Sequence, residues 1–152
     1  MPLPSILFVC LGNICRSPLA EGIYRHLTEA ASEKPLIASA GIGGWHIGNP
    51  PDRRSIKVAA AKGIDISRQR ARQVRPEDFL EFDLVVAMDE SNLARLESVM
   101  PAKATARLHL FADLAFGTRQ DVPDPYYGEP EDFEAVYSML FSGCSAVVAK
   151  FE

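Results

Sequence analysis

Nine consecutive residues, Cys10-Leu11-Gly12-Asn13-Ile14-Cys15-Arg16-Ser17-Pro18, bring a thiol, a guanidinium and a hydroxyl into one short segment. It follows an apolar run, Ile6 to Cys10, and leads into a helical pattern. A loop between a buried strand and a helix N-terminus can turn successive backbone N–H groups toward one point, which makes a cradle for an anion. Gly12 permits the tight path. Arg16 adds a planar fork that can hold two phosphate oxygens at once. Cys10 stands at the floor of such a cradle, and the field that holds a phosphate also stabilises a thiolate, which makes Cys10 a nucleophile. Ser17 is a good N-cap for the next helix, with Pro18 at the first helical position, and its hydroxyl could also donate to the Cys10 sulfur. Free cysteines more often pack in cores, but here the strand ends at Cys10 and the loop begins at once.

A cradle alone only binds. Turnover of an ester needs a proton for the departing oxygen. Asp124 is the best candidate, held between Pro123 and Pro125, which restrict the backbone. Tyr126 and Tyr127 beside it could wall a slot for a flat ring. Spacing alone does not bring this segment back to Cys10.

The elements that would position these groups alternate. Ile6–Cys10 is uniformly apolar and reads as a central strand covered on both faces. Leu19, Ile23, Leu27 and Ala30 form one stripe and predict a helix over 18–31. Further strands are expected at 36–40, 83–88 and 107–110. Helices are expected over 52–62 with Gly63 as C-cap, around Leu93, Leu96 and Met100 before Pro101, and over 131–150. Residues 41–51 and the stretch from the fourth strand to Tyr127 read as loops. The alternation implies a mostly parallel sheet with helices on both faces, and ligands at the carboxyl ends of its strands. The 152 residues suit one domain, 1–152.

Composition narrows the class. The chain is 47% hydrophobic and 24% charged with a net charge of -4, which fits a globular protein and gives no basic surface for nucleic acid. Arg53, Arg54, Arg68, Arg70, Arg72 and Arg75 crowd one stretch, either as a solvated face or as a field that steers an anion. Three cysteines make no disulfide framework. No apolar stretch is long enough to span a membrane, and the start has no basic signal region. A reduced cytoplasmic setting suits a free thiolate. Cys144 falls on the apolar stripe of the last helix and reads as core. His26 and His109 read as structural, and His46 as a possible substrate contact.

With these residues in place, the chain resembles the low-molecular-weight protein tyrosine phosphatases. The resemblance rests on Cys10 to Pro18, Ser39-Ala40-Gly41, Trp45-His46, Met88-Asp89 with Asn92, and Asp124-Pro125-Tyr126-Tyr127. It implies an α/β three-layer sandwich with a four-stranded parallel sheet in the order 2-1-3-4 and the phosphate loop after the first strand. It implies hydrolysis of phosphotyrosine proteins or small aryl phosphates through a phosphocysteine at Cys10, with Arg16 as clamp and Asp124 as acid and then base. Residues 11–17, from Leu11 to Ser17, would bind phosphate, and Asn13, Ser17, Ser39 and Asp89 would support the loop. Leu11, Ile14, Trp45, Tyr126 and Tyr127 would line the entrance. Cys15 would be a redox partner of Cys10. The resemblance implies no metal and no cofactor, a cognate tyrosine kinase as a possible partner, and leaves oligomeric state open; Tyr126 and Tyr127 are also possible phosphorylation sites. An arsenate reductase shares such a loop, but residues 80–100 contain no cysteine to pass a disulfide outward. A non-catalytic phosphotyrosine-binding module would need neither Cys10 nor Asp124.

Overall fold

The computed structural model describes residues 2–152. Strand β1 (Ile6–Cys10) is buried along its whole length. Its side chains alternate between two cores: Ile6, Phe8 and Cys10 enter one, Leu7 and Val9 the other. This is why the strand reads as a continuous apolar run rather than an alternating one. Helix α1 (Arg16–Leu27) carries the chain over to β2 (Ile37–Gly41). Then come α2 (Arg53–Ala60), α3 (Asp78–Glu81), β3 (Leu84–Ala87), α4 (Glu90–Val99), β4 (Arg107–Leu110), α5 (Phe111–Phe116) and α6 (Pro130–Phe151).

The four strands pair in parallel in the order β2-β1-β3-β4, as expected. Helices cover both faces. The Phe8 core receives Leu19 and Ile23 of α1 together with Phe133, Leu140 and Val147 of α6. The Val9 core receives Phe79 of α3 and Leu93 and Leu96 of α4. Each such side chain contributes about 1.5–3 kcal/mol by leaving water. Phe8 also meets Tyr24 edge-on, with ring centroids 5.8 Å apart. No helix among the described residues is long and apolar enough to cross a membrane.

The structure corrects several boundaries. The first helix begins at Arg16 and ends at Leu27, short of residue 31; Ala30 is exposed and holds no place in the stripe. Ser17 does not cap it: the N-cap position is Cys15, which offers no side-chain hydrogen bond. The Ser17 hydroxyl is turned toward Cys10 instead. Two short helices, α3 and α5, lie where none was expected. The C-cap of α2 is Ala61, not Gly63, because the helix ends at Ala60; Gly63, at φ +82°, closes the turn two residues further on, and Cys144 is fully buried as expected.

Candidate active site

In a sheet ordered β2-β1-β3-β4, β1 ends at the switch in strand order, where the sheet splays open for a ligand. Cys10 is the last residue of β1. The loop after it is held from outside through its carbonyls. Cys10 O accepts from Ile42 N at 2.9 Å, Leu11 O from Gly43 N at 3.0 Å, and Ile14 O from Asp52 N at 2.8 Å. Among the described residues, no protein acceptor meets the backbone N–H groups of residues 11–15. With the carbonyls tied outward, those N–H groups are left for an anion.

Asn13 keeps the loop in this shape. It is the one non-glycine residue at positive φ, +59°, among those described, a conformation Asn tolerates better than most. Its Nδ2 donates to Ser17 Oγ at 2.8 Å and to Ser39 Oγ at 2.9 Å. Its Oδ1 accepts from Arg72 N at 3.0 Å. Ser39 Oγ in turn donates to Glu21 Oε1 at 2.6 Å. Ser17 Oγ lies 3.0 Å from Cys10 Sγ. Because Ser17 already accepts from Asn13, its own proton is free to face the sulfur.

Arg16 is only 2% exposed. Its Nη1 donates to Asp89 Oδ2 at 2.7 Å and to the Val122 carbonyl at 2.9 Å. Nη2 lies 3.6 Å from Asp124 Oδ2, and Nε is buried with no protein partner. One corner of the guanidinium is thus anchored, and its Nε–Nη2 edge, which makes no hydrogen bond among the described residues, has the geometry to hold two oxygens. Burial alone would lower the pKa of this guanidinium, but Cys10, Asp89 and Asp124 outweigh it and hold it above the ordinary value. Asp89 serves two elements at once, since its Oδ1 also caps α4 by accepting from Asn92 N at 2.7 Å.

The Asp124 segment returns to the loop because Val122 is buried and its N–H donates to the Met88 carbonyl at 2.8 Å, beyond the end of β3. Asp121 Oδ1 accepts from Glu90 N at 2.9 Å and fastens the same stretch to the start of α4. Asp124 Oδ1 accepts from Tyr126 N at 3.1 Å, which folds the segment into a turn.

These groups surround a cavity of about 220 Å³. Cys10 and Arg16 line it together with Asp124, and Leu11, Ile14 and Trp45 add apolar wall. Trp45 lies over Gly43, where any β-carbon would collide with the indole. Tyr126 stands at the mouth, edge-on to Tyr127, with centroids 4.9 Å apart. Gly12 and Cys15 also line the cavity, whereas Asn13, Ser17 and Ser39 lie behind the loop and Asp89 behind Arg16. Tyr127 touches the cavity but its side chain is 97% exposed, so it forms an outer lip and not a closed wall. Cys15 is buried, and burial together with Asp52 and Cys10 pushes its thiol up to about 12, which keeps it protonated near neutrality.

His46, read from the sequence as a possible substrate contact, does line the cavity, with its ring against Gly12. Other participants escaped the sequence reading. The Val122 carbonyl could not be found from residue type, because any residue supplies a carbonyl. Arg54 sits over the Phe133 ring at 4.5 Å and the Tyr126 ring at 5.5 Å while pairing with Asp52 at 2.9 Å. The arginine-rich stretch is therefore not one solvated face: Arg72 and Arg75 pair with the buried Asp78.

A thiol hydrogen-bonded to a hydroxyl, a row of free N–H groups, an anchored guanidinium and a carboxylate at the rim can perform nucleophilic displacement at a tetrahedral anion. Known proteins agree. Residues 5–152 match the family model described as low molecular weight phosphotyrosine protein phosphatase. The chain is 42% identical over 151 residues to the low molecular weight protein-tyrosine-phosphatase YfkJ of Bacillus subtilis, covering 97% of this chain and 96% of that protein. It is 42% identical over 150 residues to the low molecular weight phosphotyrosine protein phosphatase of Homo sapiens, covering 96% and 94%. Its fold superposes on the crystal structure of Primo-1 with a TM-score of 0.90 at 36% identity, covering 97% and 98%. This chain belongs to the low molecular weight phosphotyrosine protein phosphatase family.

Proposed function

We propose that residues 1–152 act as one catalytic domain that hydrolyses phosphotyrosine monoesters and small aryl phosphates through a phosphocysteine at Cys10. The observation that carries this reading is the Nε–Nη2 edge of Arg16 beside the cavity that Cys10 and Asp124 share: among the described residues Nε has no partner, and Nη2 meets only Asp124, at 3.6 Å. The N–H groups of residues 11–15 and the Arg16 edge hold the three non-bridging oxygens. Cys10 Sγ attacks phosphorus in line as the bond to the aryl oxygen breaks, and Asp124 gives that oxygen its proton. Water then attacks the phosphocysteine, Asp124 takes the water proton, and inorganic phosphate leaves with Cys10 restored as a thiolate. The transition state carries its charge on the phosphoryl oxygens, so positioning and fixed dipoles supply most of the acceleration. The first step needs a thiolate at Cys10 and a proton on Asp124.

Leu11, Ile14, Trp45 and Tyr126 make an apolar entrance suited to an aromatic ester. The natural substrate is then a phosphotyrosine protein, the product of a tyrosine kinase, in a cytoplasm that keeps thiols reduced. Cys15 can protect the nucleophile: a sulfenic acid at Cys10 condenses with the Cys15 thiol to give a disulfide and water. If peroxide-treated Cys15→Ser enzyme recovers with thiol as fully as wild type, that protective role is wrong.

An arsenate reductase reading finds little support, because Cys144 is fully buried, with its sulfur against the Ala20 carbonyl, and cannot pass a disulfide outward. Parallel assays of an aryl phosphate, phosphotyrosine and phosphoserine peptides, and arsenate with a thiol donor decide the class. Rapid turnover of the aryl phosphate and phosphotyrosine, lost in Cys10→Ser, supports the proposal; arsenate reduction without ester hydrolysis defeats it.

A further inference from the structure

We propose that Asp78 is a positioning residue for the phosphate loop, acting on Asn13 through the backbone of Arg72. The proposal rests on the reading of residues 11–15 as an anion cradle. Asp78 opens α3 and is fully buried, although it faces no part of the cavity. A buried carboxylate persists only where partners satisfy it. Here Arg72 supplies a bidentate fork, Nη1 to Oδ2 and Nη2 to Oδ1, each at 3.0 Å. Arg75 adds its backbone N–H at 2.8 Å and its guanidinium at 3.5 Å. Residues 72–78 are thereby closed into a rigid clasp around one carboxylate.

The other end of this clasp touches the loop. Arg72 O accepts from Gly41 N at 2.8 Å and Val74 N donates to Gly41 O at 2.8 Å, which pins the segment to the end of β2. In that place the Arg72 N–H points at Asn13 Oδ1, 3.0 Å away. This contact decides which way the Asn13 amide faces. A flipped amide would set Nδ2 against the Arg72 N–H, two donors together, and would turn Oδ1 toward Ser17 and Ser39. With the observed orientation, Nδ2 bridges both hydroxyls and leaves the Ser17 proton for Cys10. The side chain of Asp78 therefore governs the cradle through a backbone N–H, at a distance from any reacting atom.

A double-mutant cycle on the full chain tests this. Asp78→Asn, Asn13→Ala and the double variant are compared for kcat/KM with an aryl phosphate and for Kd of inorganic phosphate. All are measured at a temperature where circular dichroism shows every variant folded. Asp78→Asn is expected to lower kcat/KM and weaken phosphate binding by about 5- to 30-fold. In the Asn13→Ala background it should change neither by more than about twofold. A general loss of stability would not produce that silence. Losses that multiply in the double variant, or no loss in Asp78→Asn alone, overturn the proposal. Should Asp78→Asn fail to fold, Arg72→Lys, which keeps the charge and breaks the fork, enters the same cycle with the same criteria. The phosphate-binding arm does not depend on turnover, so a wild-type chain that binds phosphate but hydrolyses no ester refutes the proposed function and still decides this one.

Discussion

Removing the Ser17 hydroxyl isolates the step in which Cys10 must leave phosphorus. In the folded protein this hydroxyl lies 3.0 Å from Cys10 Sγ and is fully buried, so water cannot take its place. Its other partner, Asn13 Nδ2, still holds Ser39 at 2.9 Å, and the loop should keep its shape in Ser17→Ala. A hydrogen bond to a charged group is worth about 1.5–3 kcal/mol. The whole of it bears on a step that ends with a free thiolate and much less on one that consumes it. Breakdown of the phosphocysteine should therefore slow by about 10- to 150-fold. Formation of the intermediate consumes the sulfur charge instead of releasing it, so kcat/KM should fall by a smaller factor than the breakdown step. Rapid mixing with an aryl phosphate reads both steps: the variant should show a clear burst of phenol followed by a slow steady rate. Adding an alcohol acceptor should not remove the burst. Equal losses in burst and steady phases, or an unchanged steady rate, would refute the assignment of the hydroxyl to the sulfur.

Other expectations follow from the same geometry. Asp124→Asn should slow esters of poor leaving groups by about 100-fold or more and those of good leaving groups far less; a loss independent of leaving-group acidity would remove Asp124 from the acid role. Asp89→Ala removes both the 2.7 Å contact to Arg16 and the cap of α4, and should lower unfolding free energy in urea by about 2–4 kcal/mol. Asp89→Asn, which can still cap, should recover about 1 kcal/mol of that; equal losses in the two would contradict the double role. The Cys15 thiol is pushed up to about 12 from its ordinary 9.0, mainly by burial. Between those values the unfolded chain gives up a proton that the folded chain keeps, so stability is complete below pH 9 and falls toward pH 12, by up to about 1.4 kcal/mol per pH unit. Denaturation midpoints of Cys15→Ser should decline less steeply over that range, and an identical slope would show that Cys15 is not the group responsible.

The parts of the molecule that were legible in the sequence are those where one physical demand dominates. Ile6–Cys10 is apolar at every position because β1 is covered on both faces, and α6 shows a clear stripe because it spans 22 residues against one core. The loop from Cys10 to Ser17 was legible because thiol, guanidinium and hydroxyl rarely meet at that spacing by chance. The rest was hidden for specific reasons. Helices α3 and α5 have four and six residues, too few for a helical period to appear. Ser17 carries the signals of both an N-cap and a thiol partner; the contact with Cys10 is present and the cap is not, because one hydroxyl cannot serve both places. The return of Asp124 depends on Val122 and a main-chain bond to Met88, neither of which has a residue signature. Asp78 lies in no motif and on no apolar stripe, so nothing in the sequence singles it out; only the fold shows that it is buried and that two of the nearby arginines serve it.

Rapid quenching of the enzyme in acid during turnover of an aryl phosphate, followed by peptide mass mapping, examines the covalent step itself. A phosphoryl group carried by the peptide with Cys10, accumulating in Ser17→Ala and missing in Cys10→Ser, is the predicted result. Phosphate on another side chain, or steady turnover by the Cys10→Ser protein, would contradict it.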